Sequence, residues 1–411
     1  MTEVASKART ISLNRILPQS SIVRASNLPS AYIARRTNFA HKKLKNVVFF
    51  MSYETIHFEQ LKQYCNAVFL AYGFTPAESE TIADVILRAD LYGIESHGVQ
   101  RLIRYHNEIL GGVVNIAAKP RTVSETAISA VIDADRAMGQ LVSAQAMGAA
   151  VEKAKKTGIG IITVRNSNHF GIAGYYAKMA SDEDLLGICM TNTEAIGVPI
   201  YGKQAMLGTN PIALAFPASP AGFLYDAATT VVPRGKLEVY NKNGKPLPGG
   251  WAVDADGIGC ADAGEILKNL IAKSGGGIAP LGGDTELYGG HKGYGLGILV
   301  DLFCGVFSGG KTSNHINRKP GLTDICHFFM AADYGIFGDK PAIKDNFSRF
   351  LQELRDSPKA EGQNRIFTHG EKEFESMRQK LVSGIPVNAK TREEIRSIAE
   401  YHSLDYDSYF S

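Results

Sequence analysis

The sequence predicts an α/β protein, and three observations carry that prediction. The first is a junction. Gly158-Ile-Gly-Ile-Ile-Thr-Val164 reads as a buried strand, Asn166-Ser-Asn-His-Phe-Gly171 as a tight loop, and Ile172 to Ala180 as a helix. The second is a succession, since residues 120 to 180 run strand, helix, strand, helix. The third is that three apolar strands are each followed by a polar loop, as a sheet with ligand groups along one edge requires. In α/β proteins ligands gather at the carboxyl ends of strands, so His169 stands where chemistry is expected. Asn166 and Asn168 can bond their own backbone and Gly171 eases the start of the helix, which leaves the imidazole projecting from a stiff loop. The same residues are also compatible with a histidine that only satisfies a carbonyl.

Composition bounds the rest. A chain of 411 residues, 45% hydrophobic and 21% charged, has the makings of two or three packed layers or domains. The formal charge of +3 hides an asymmetry: nine Lys and Arg fall in residues 1–50 against Glu3 alone, and the remainder is mildly acidic. Nothing there suggests a nucleic-acid surface. Five cysteines, Cys65, Cys189, Cys260, Cys304 and Cys326, are scattered and odd in number. They predict a reducing compartment and neither a disulfide framework nor a zinc knuckle. No apolar run approaches the roughly 18 to 20 residues that cross a bilayer, so a soluble, cytoplasmic protein is expected. Residues 1–50 are basic and nearly acid-free, as in a transit peptide, which would make the destination mitochondrial. A plain disordered tail, or true initiation at Met51, fits equally.

From Thr55 the pattern is helical, with Phe58, Leu61, Tyr64, Cys65, Val68 and Phe69 on one face and Gly73 closing the run. A second helix opens at Thr75-Pro76, buries Ile82, Val85, Ile86 and Leu91, and stops at Gly93. In Glu95-Ser-His-Gly-Val-Gln-Arg-Leu-Ile-Arg-Tyr105, helix from Gly98 onward would set His97, Arg101 and Tyr105 on one face. An imidazole, a guanidinium and a phenol at a helix start suit a small carboxylate, which Arg grips with two parallel hydrogen bonds. An ordinary solvated face is the alternative.

Beyond Pro120 come a strand over 127–133, a helix over 140–156 and the junction at 158–180. Strands follow over 185–192, 212–216 and 222–226. Residues 234–265 are hydrophilic and turn-rich, and read as a loop or surface arm. Gly282 to Gly297 is dense in glycine, which lets backbone approach a ligand, with Lys292 adding positive charge. An apolar helix over 298–306 follows.

Two motifs bear on function. Gly-x-Gly-x-x-Gly is absent, so the common dinucleotide fingerprint is not there. Gly305-Val-Phe-Ser-Gly-Gly-Lys-Thr312 does match the phosphate-loop pattern, which would make the chain an NTPase. That loop needs a strand before it and a helix after it, whereas 296–304 looks helical and 313–321 is polar and ends in Pro-Gly.

Taken together, Ser96-His-Gly with Arg101 and Tyr105, Asn166-Ser-Asn-His-Phe-Gly171, Thr191-Asn-Thr193, Leu207-Gly-Thr-Asn-Pro211, Pro233-Arg-Gly-Lys236 and Gly290-His-Lys-Gly-Tyr-Gly-Leu296 resemble the type-2 malate/L-lactate dehydrogenase family from about Tyr53 to Val387. The resemblance implies a non-Rossmann α/β fold with a mixed sheet and a helical N-terminal region, usually as a homodimer. It implies hydride transfer between NAD or NADP and a small 2-hydroxy or 2-keto acid, without a metal. His169 would be the proton carrier, with His97 its rival, and Ser96, Arg101 and Tyr105 would hold the substrate. Asn192, Thr193, Asp226, Ala227, Ala228, Lys292, Gly370 and Glu371 align with cofactor-contacting positions. The expected division is a 1–50 extension, a 51–120 helical substrate-binding region, a 121–330 α/β cofactor-binding domain, and a 331–411 region packing back on the N-terminal helices. The departures are Asp226-Ala-Ala-Thr-Thr230 for the family's Asp-Met-Ala-Thr-Ser, His369-Gly-Glu371 for Pro-Gly-Glu, and irregular residues at 262–289. They leave a catalytically degenerate nucleotide-binding relative as the competing class.

Overall fold

The computed structural model describes residues 53–316 and 324–410, so the extension expected over 1–50 lies outside the described residues. Strand β1 (Tyr53–Ile56) leads into helices α1 (Phe58–Tyr72) and α2 (Pro76–Leu91). The one-sided spacing seen in the sequence is what packs. Leu61, Tyr64, Cys65, Val68 and Phe69 are buried on α1, and Ile82, Val85, Ile86 and Leu91 on α2. Gly73 ends α1 at φ 101°, a left-handed conformation cheap only for glycine. Thr75 and Glu78 form a capping box that, with Pro76, starts α2.

The helix expected from Gly98 begins later. Two 3-10 turns, Glu95–His97 and Val99–Arg101, come first, and α3 spans Leu102–Leu110. Gly98 is extended, at φ −85° and ψ −150°, and the Val99 amide is taken by the Asp90 carboxylate at 2.7 Å, so α-helical bonding starts only beyond it.

The main sheet draws on β2 (Arg121–Glu125), β3 (Ser129–Asp133), β4 (Ile159–Ser167), β5 (Leu186–Thr191), β6 (Ile212–Phe216) and β7 (Phe223–Ala227). The short β8 (Ala252–Val253) and β9 (Gly277–Ile278) pair apart from it, and β10 (Ile325–Ala332) completes it. Its order is β2-β3-β4-β10-β5-β6-β7, with β3 and β4 parallel and every other neighbouring pair antiparallel. This is the mixed, non-Rossmann sheet that was expected. Helices α4 (Gly139–Thr157) and α5 (Ala173–Asp182) pack on it through small residues, Ala146, Ala150, Ala154, Ala173, Ala177 and Ala180, joined by Ile162, Val164 and Phe329. Strand β2 is exposed throughout and shows no apolar face, which is why its sequence gave no strand signal.

The surface arm expected over 234–265 is corrected. Its ends are helices, α6 (Arg234–Lys242) and α7 (Ala263–Ala272), which bury Leu237 and Ile266 with Leu247, Ala252 and Ile278 in a small separate core. Only the stretch between them carries the turn chemistry that coloured the whole segment. Helix α8 (Gly290–Asp301) starts inside the glycine-dense run and continues as a π turn, Leu302–Val306. The Gly305–Thr312 pattern thus leaves a helix and leads into the short turn Ser313–His315, with no strand before it. Its lysine, Lys311, lies 2.7 Å from Asp324. The context a phosphate loop needs is absent there.

Helices α9 (Lys340–Asp356), α10 (Glu371–Ser383), α11 (Ala389–Tyr401) and α12 (Tyr406–Phe410) end the chain, with β11 (Ile385–Asn388) lying antiparallel to β1. Ile385, Val387, Ile395, Ile398, Ala399 and Tyr406 join the α1 and α2 core. Among the described residues no helix is long and apolar enough to cross a membrane.

Candidate active site

The loop after β4 is held at every position around His169. Strand β4 runs through Ser167, further than the apolar run indicated, with Asn166 at φ 53°, a left-handed conformation that asparagine tolerates. The two asparagines do not bond their own backbone as expected. The Asn166 amide donates to both oxygens of Asp133 at 3.0 Å, and that of Asn168 to the carbonyls of Arg136 and Ala137 at 2.8 and 2.9 Å. On the far side, buried Phe170 stacks on His327 at 4.6 Å and on Tyr176 at 4.9 Å. Gly139 lets the start of α4 press against this loop, because a Cβ there would lie 2.4 Å from the carbonyl oxygens of Asn168 and His169. His169 thus stands between two fixed positions, Asn168 and Phe170.

Across from it stands the 95–105 segment. The Tyr105 hydroxyl lies 2.8 Å from Nδ1 of His169, and the His97 ring stacks over the His169 ring with centroids 5.5 Å apart. Nδ1 of His97 pairs with the Ser96 hydroxyl at 2.9 Å. Each ring therefore has Nδ1 engaged with a hydroxyl, which leaves Nε2 as the nitrogen available for proton transfer. Arg101 donates through Nε to the Ser96 carbonyl, which fixes the side chain. A second guanidinium, Arg104, is tied to Glu108 at 2.8 Å.

Burial first, and neighbouring charge second, sets the protonation states. Burial, followed by Arg101 and Arg104, pushes His97 down to about 3. Burial, then Arg104, His97 and Arg101, holds His169 well below the usual imidazole value. Both rings are neutral near pH 7 and each can accept a proton. A bound carboxylate would offset the guanidinium field and make a proton on either imidazole easier to hold. Arg101 also feels Glu238 and Arg234 of α6, so the segment read as a surface arm reaches this site.

The expected cofactor residues separate into groups. Asp226 and Gly370 line one cavity of about 210 Å³ with Tyr92, Gly174, His369 and Lys372. The Asp226 carboxylate accepts the Gly174 amide at 2.7 Å, and burial pushes it up to about 6. Ala227 ends β7 and Ala228 follows it. Lys292 stands exposed on the first turn of α8. The Asn192 amide is committed to Asp301 at 3.0 Å and to the Lys311 carbonyl at 2.8 Å, while its oxygen takes the Cys326 amide at 2.9 Å. Thr193 accepts the Thr209 amide at 3.0 Å. The Glu371 carboxylate is taken by Arg355 at 3.0 Å, Arg365 at 2.7 Å and Thr368 at 2.6 Å. Asn192 and Glu371 therefore brace their segments with their side chains, and only backbone or neighbouring groups there are open to a ligand.

Sequence reasoning passed over three residues. Asp301 is a buried hub that accepts from Asn192, Asn210 and Ser313. His327 is fully buried and bridges Thr191 and Ser167 at 2.8 Å each, with burial pushing it down to about 3. Arg104 looked like one more charge on a helix. For Asp301 the available signal was a carboxylate closing an otherwise apolar helix, and for His327 an imidazole inside an apolar strand.

A family profile described as malate/L-lactate dehydrogenase matches residues 56–396. The chain is 44% identical to a malate dehydrogenase of Pyrococcus abyssi over 350 residues, 85% of this chain and 95% of that one. It is 34% identical to an L-sulfolactate dehydrogenase of Methanocaldococcus jannaschii, over 82% and 94% of the two chains. Among solved structures, a malate dehydrogenase from Pyrococcus horikoshii OT3 superposes with a TM-score of 0.78 at 41% identity, covering 86% of this chain and 97% of that one. One from Entamoeba histolytica gives 0.82 at 33%, covering 86% and 99%.

Proposed function

This chain belongs to the malate/L-lactate dehydrogenase family, and from that premise we propose that it moves a hydride between a nicotinamide cofactor and a small 2-hydroxy or 2-keto acid at the His97–His169 pair. The observation that carries the assignment is the pair itself: two neutral imidazoles 5.5 Å apart, with Tyr105 on one of them and Arg101 and Arg104 setting the field around both.

In the reducing direction Arg101 grips the substrate carboxylate with paired charge-assisted hydrogen bonds, and Arg104 adds to the attraction. Ser96 and Tyr105 border the same space. His169, protonated once the bound carboxylate offsets the guanidinium field, gives that proton from Nε2 to the keto oxygen and returns to the neutral ring; in the oxidising direction the neutral ring takes the hydroxyl proton. Tyr105, on Nδ1, fixes the ring plane so that Nε2 keeps one direction through both half-reactions. His97, on the stacked ring, is the rival carrier, and its depressed proton affinity keeps the pair from charging together. NAD or NADP, when bound, supplies or accepts the hydride.

The residues around Asp226 fit such a cofactor. Its buried carboxylate suits a sugar hydroxyl, and Lys372 with the starts of α5 and α10 suits a diphosphate. Ala227, Ala228 and Lys292 remain our assignments to the same group, with Thr193 and the backbone beside Asn192 and Glu371. Malate with oxaloacetate is the substrate pair to try first, given two guanidinium groups and the 44% identical relative. We further assign a homodimer and a cytoplasmic location, with the mitochondrial alternative tied to residues 1–50.

The test is nicotinamide absorbance with NADH and NADPH against oxaloacetate, pyruvate, and the keto partners of sulfolactate and ureidoglycolate. Cofactor oxidation with at least one acid is expected. Silence across the panel would overturn the assignment and favour the catalytically degenerate relative.

A further inference from the structure

One buried carboxylate has no part in the mechanism above, although it touches the segment that carries half of the site. Asp90 sits near the end of α2 and is 3% exposed. Its Oδ2 accepts the backbone amide of Val99 at 2.7 Å. Gly98 lies directly against the same carboxylate, and a Cβ on that glycine would fall 1.9 Å from Oδ1. The Asp90 carbonyl accepts the Lys380 ammonium of α10 at 2.7 Å and the Gly93 amide at 2.9 Å. Both ends of the residue are therefore fastened, and the part of the chain fastened to it is Gly98-Val99, between His97 and Arg101.

We propose that Asp90 is a positioning residue for the reaction: by holding the Val99 amide it sets the junction between the two 3-10 turns from which the His97 imidazole and the Arg101 guanidinium reach toward His169. The reasoning is geometric. A helix through Gly98 would carry His97 and Arg101 on a common face at fixed rise. The extended Gly98 breaks that relation, so the two side chains depend on whatever pins the break. The first amide of a helical turn has no partner within the turn, and a carboxylate is the strongest neutral-pH acceptor for it. Burial raises the cost of leaving either group alone, so the contact is well determined. Burial also pushes the Asp90 carboxyl up to about 7, while the Val99 amide and Lys380 oppose that rise and Glu95 adds to it. The carbonyl oxygen accepts in both protonation states, so the turn stays pinned across neutral pH.

This rests on reading His97 and Arg101 as parts of the substrate site, and the test separates the two claims. Steady-state rates with oxaloacetate and the preferred reduced cofactor are measured for the wild type, Asp90→Ala, Asp90→Asn, Asp90→Glu and Arg101→Ala, with melting curves for each. Asp90→Ala is expected to raise the oxaloacetate KM and lower kcat, each roughly tenfold, the size of one lost hydrogen bond to a charged group, with the cofactor KM within about twofold of wild type. Asp90→Asn, which still offers an oxygen to Val99, recovers most of both. Asp90→Glu keeps charge and acceptor but moves the turn, and raises the oxaloacetate KM while leaving the cofactor KM alone, which keeps the proposal testable if Asp90→Ala does not fold. An oxaloacetate KM unmoved in Asp90→Glu overturns it, as does a uniform loss shared by both substrates in Asp90→Ala and Asp90→Asn alike. If Arg101→Ala leaves the oxaloacetate KM unchanged, the reading of the site has failed instead, and the proposal falls with it.

Discussion

The Tyr105 hydroxyl lies 2.8 Å from Nδ1 of His169 and joins two segments that are 64 residues apart in sequence. The phenol comes from a helix face and the imidazole from a loop at a strand end, so the bond forms only when α3 docks against the edge of the sheet. Removing it with Tyr105→Phe leaves both backbones in place. The expected result is a kcat lower by about fivefold to tenfold, the size of one ordinary hydrogen bond, with little change in cofactor KM. Stopped-flow reduction of oxaloacetate measures it, and an unchanged rate for the chemical step would separate Tyr105 from the reaction.

His169→Ala removes the ring we propose as the proton carrier. Turnover should fall on the order of 10² to 10⁴ while cofactor binding, followed by fluorescence, stays near wild type. The same substitution at His97 decides between the rivals: whichever alanine variant abolishes the pH dependence of kcat identifies the ring that carries the proton.

Arg101→Ala acts on binding. Loss of a charge-assisted pair should raise the keto-acid KM roughly tenfold to hundredfold. A Michaelis constant that does not move takes Arg101 out of the site.

Stability should depend on pH through the buried imidazoles. His327 and His97 are pushed down to about 3 in the folded protein, whereas an unfolded histidine titrates near ~6.5. The folded state therefore binds fewer protons, so the contribution is complete above the unfolded value and drains away as pH falls from there through about 3. Asp90 and Asp226 work in the opposite sense, being raised, and favour the fold most on the acid side. Urea midpoints taken between neutral and mildly acid pH should fall less steeply in His327→Gln than in the wild type. Parallel curves would show that His327 contributes nothing to acid sensitivity.

Asp301→Ala would leave the Asn192 and Asn210 amides and the Ser313 backbone amide without their shared acceptor in a buried place. A loss of about 2–4 kcal/mol in chemical denaturation is expected, with a smaller loss for Asp301→Asn.

The parts of this molecule that could be read in the sequence are those decided by neighbours along the chain. The face of α1, the caps of α2 and the strand-to-helix junction at His169 all follow from spacing and from residues with restricted backbones. Pairing across long separations escaped. Residues 325–332 gave no hint that they would lie between β4 and β5, and with that the role of His327 was hidden. Asp90 falls four residues after Ile86 on the buried stripe of α2, a position where a carboxylate needs a partner; the partner, the Val99 amide, became visible only once the chain had turned back. Helix α6 was masked by the hydrophilic turns that follow it, because Leu237 alone is buried along its length. Glu371 and Asn192 were noted for their positions, but their side chains are spent on neighbours that no local pattern announces.

The placement of β10 at the centre of the sheet has a consequence for how the protein comes into being. Strands β4 and β5 are adjacent in sequence yet never touch as strands, since Phe328 and Phe329 fill the slot between them. A ribosome that has released the chain only as far as α7 has produced every candidate proton-carrying group and none of the strand that separates β4 from β5. The newborn polypeptide must wait, with that slot open and apolar, for residues made much later, and closure over so long a separation is slow. Chaperone dependence during synthesis, and failure of any N-terminal fragment that stops short of Ala332 to bind substrate, are what such an order of assembly requires.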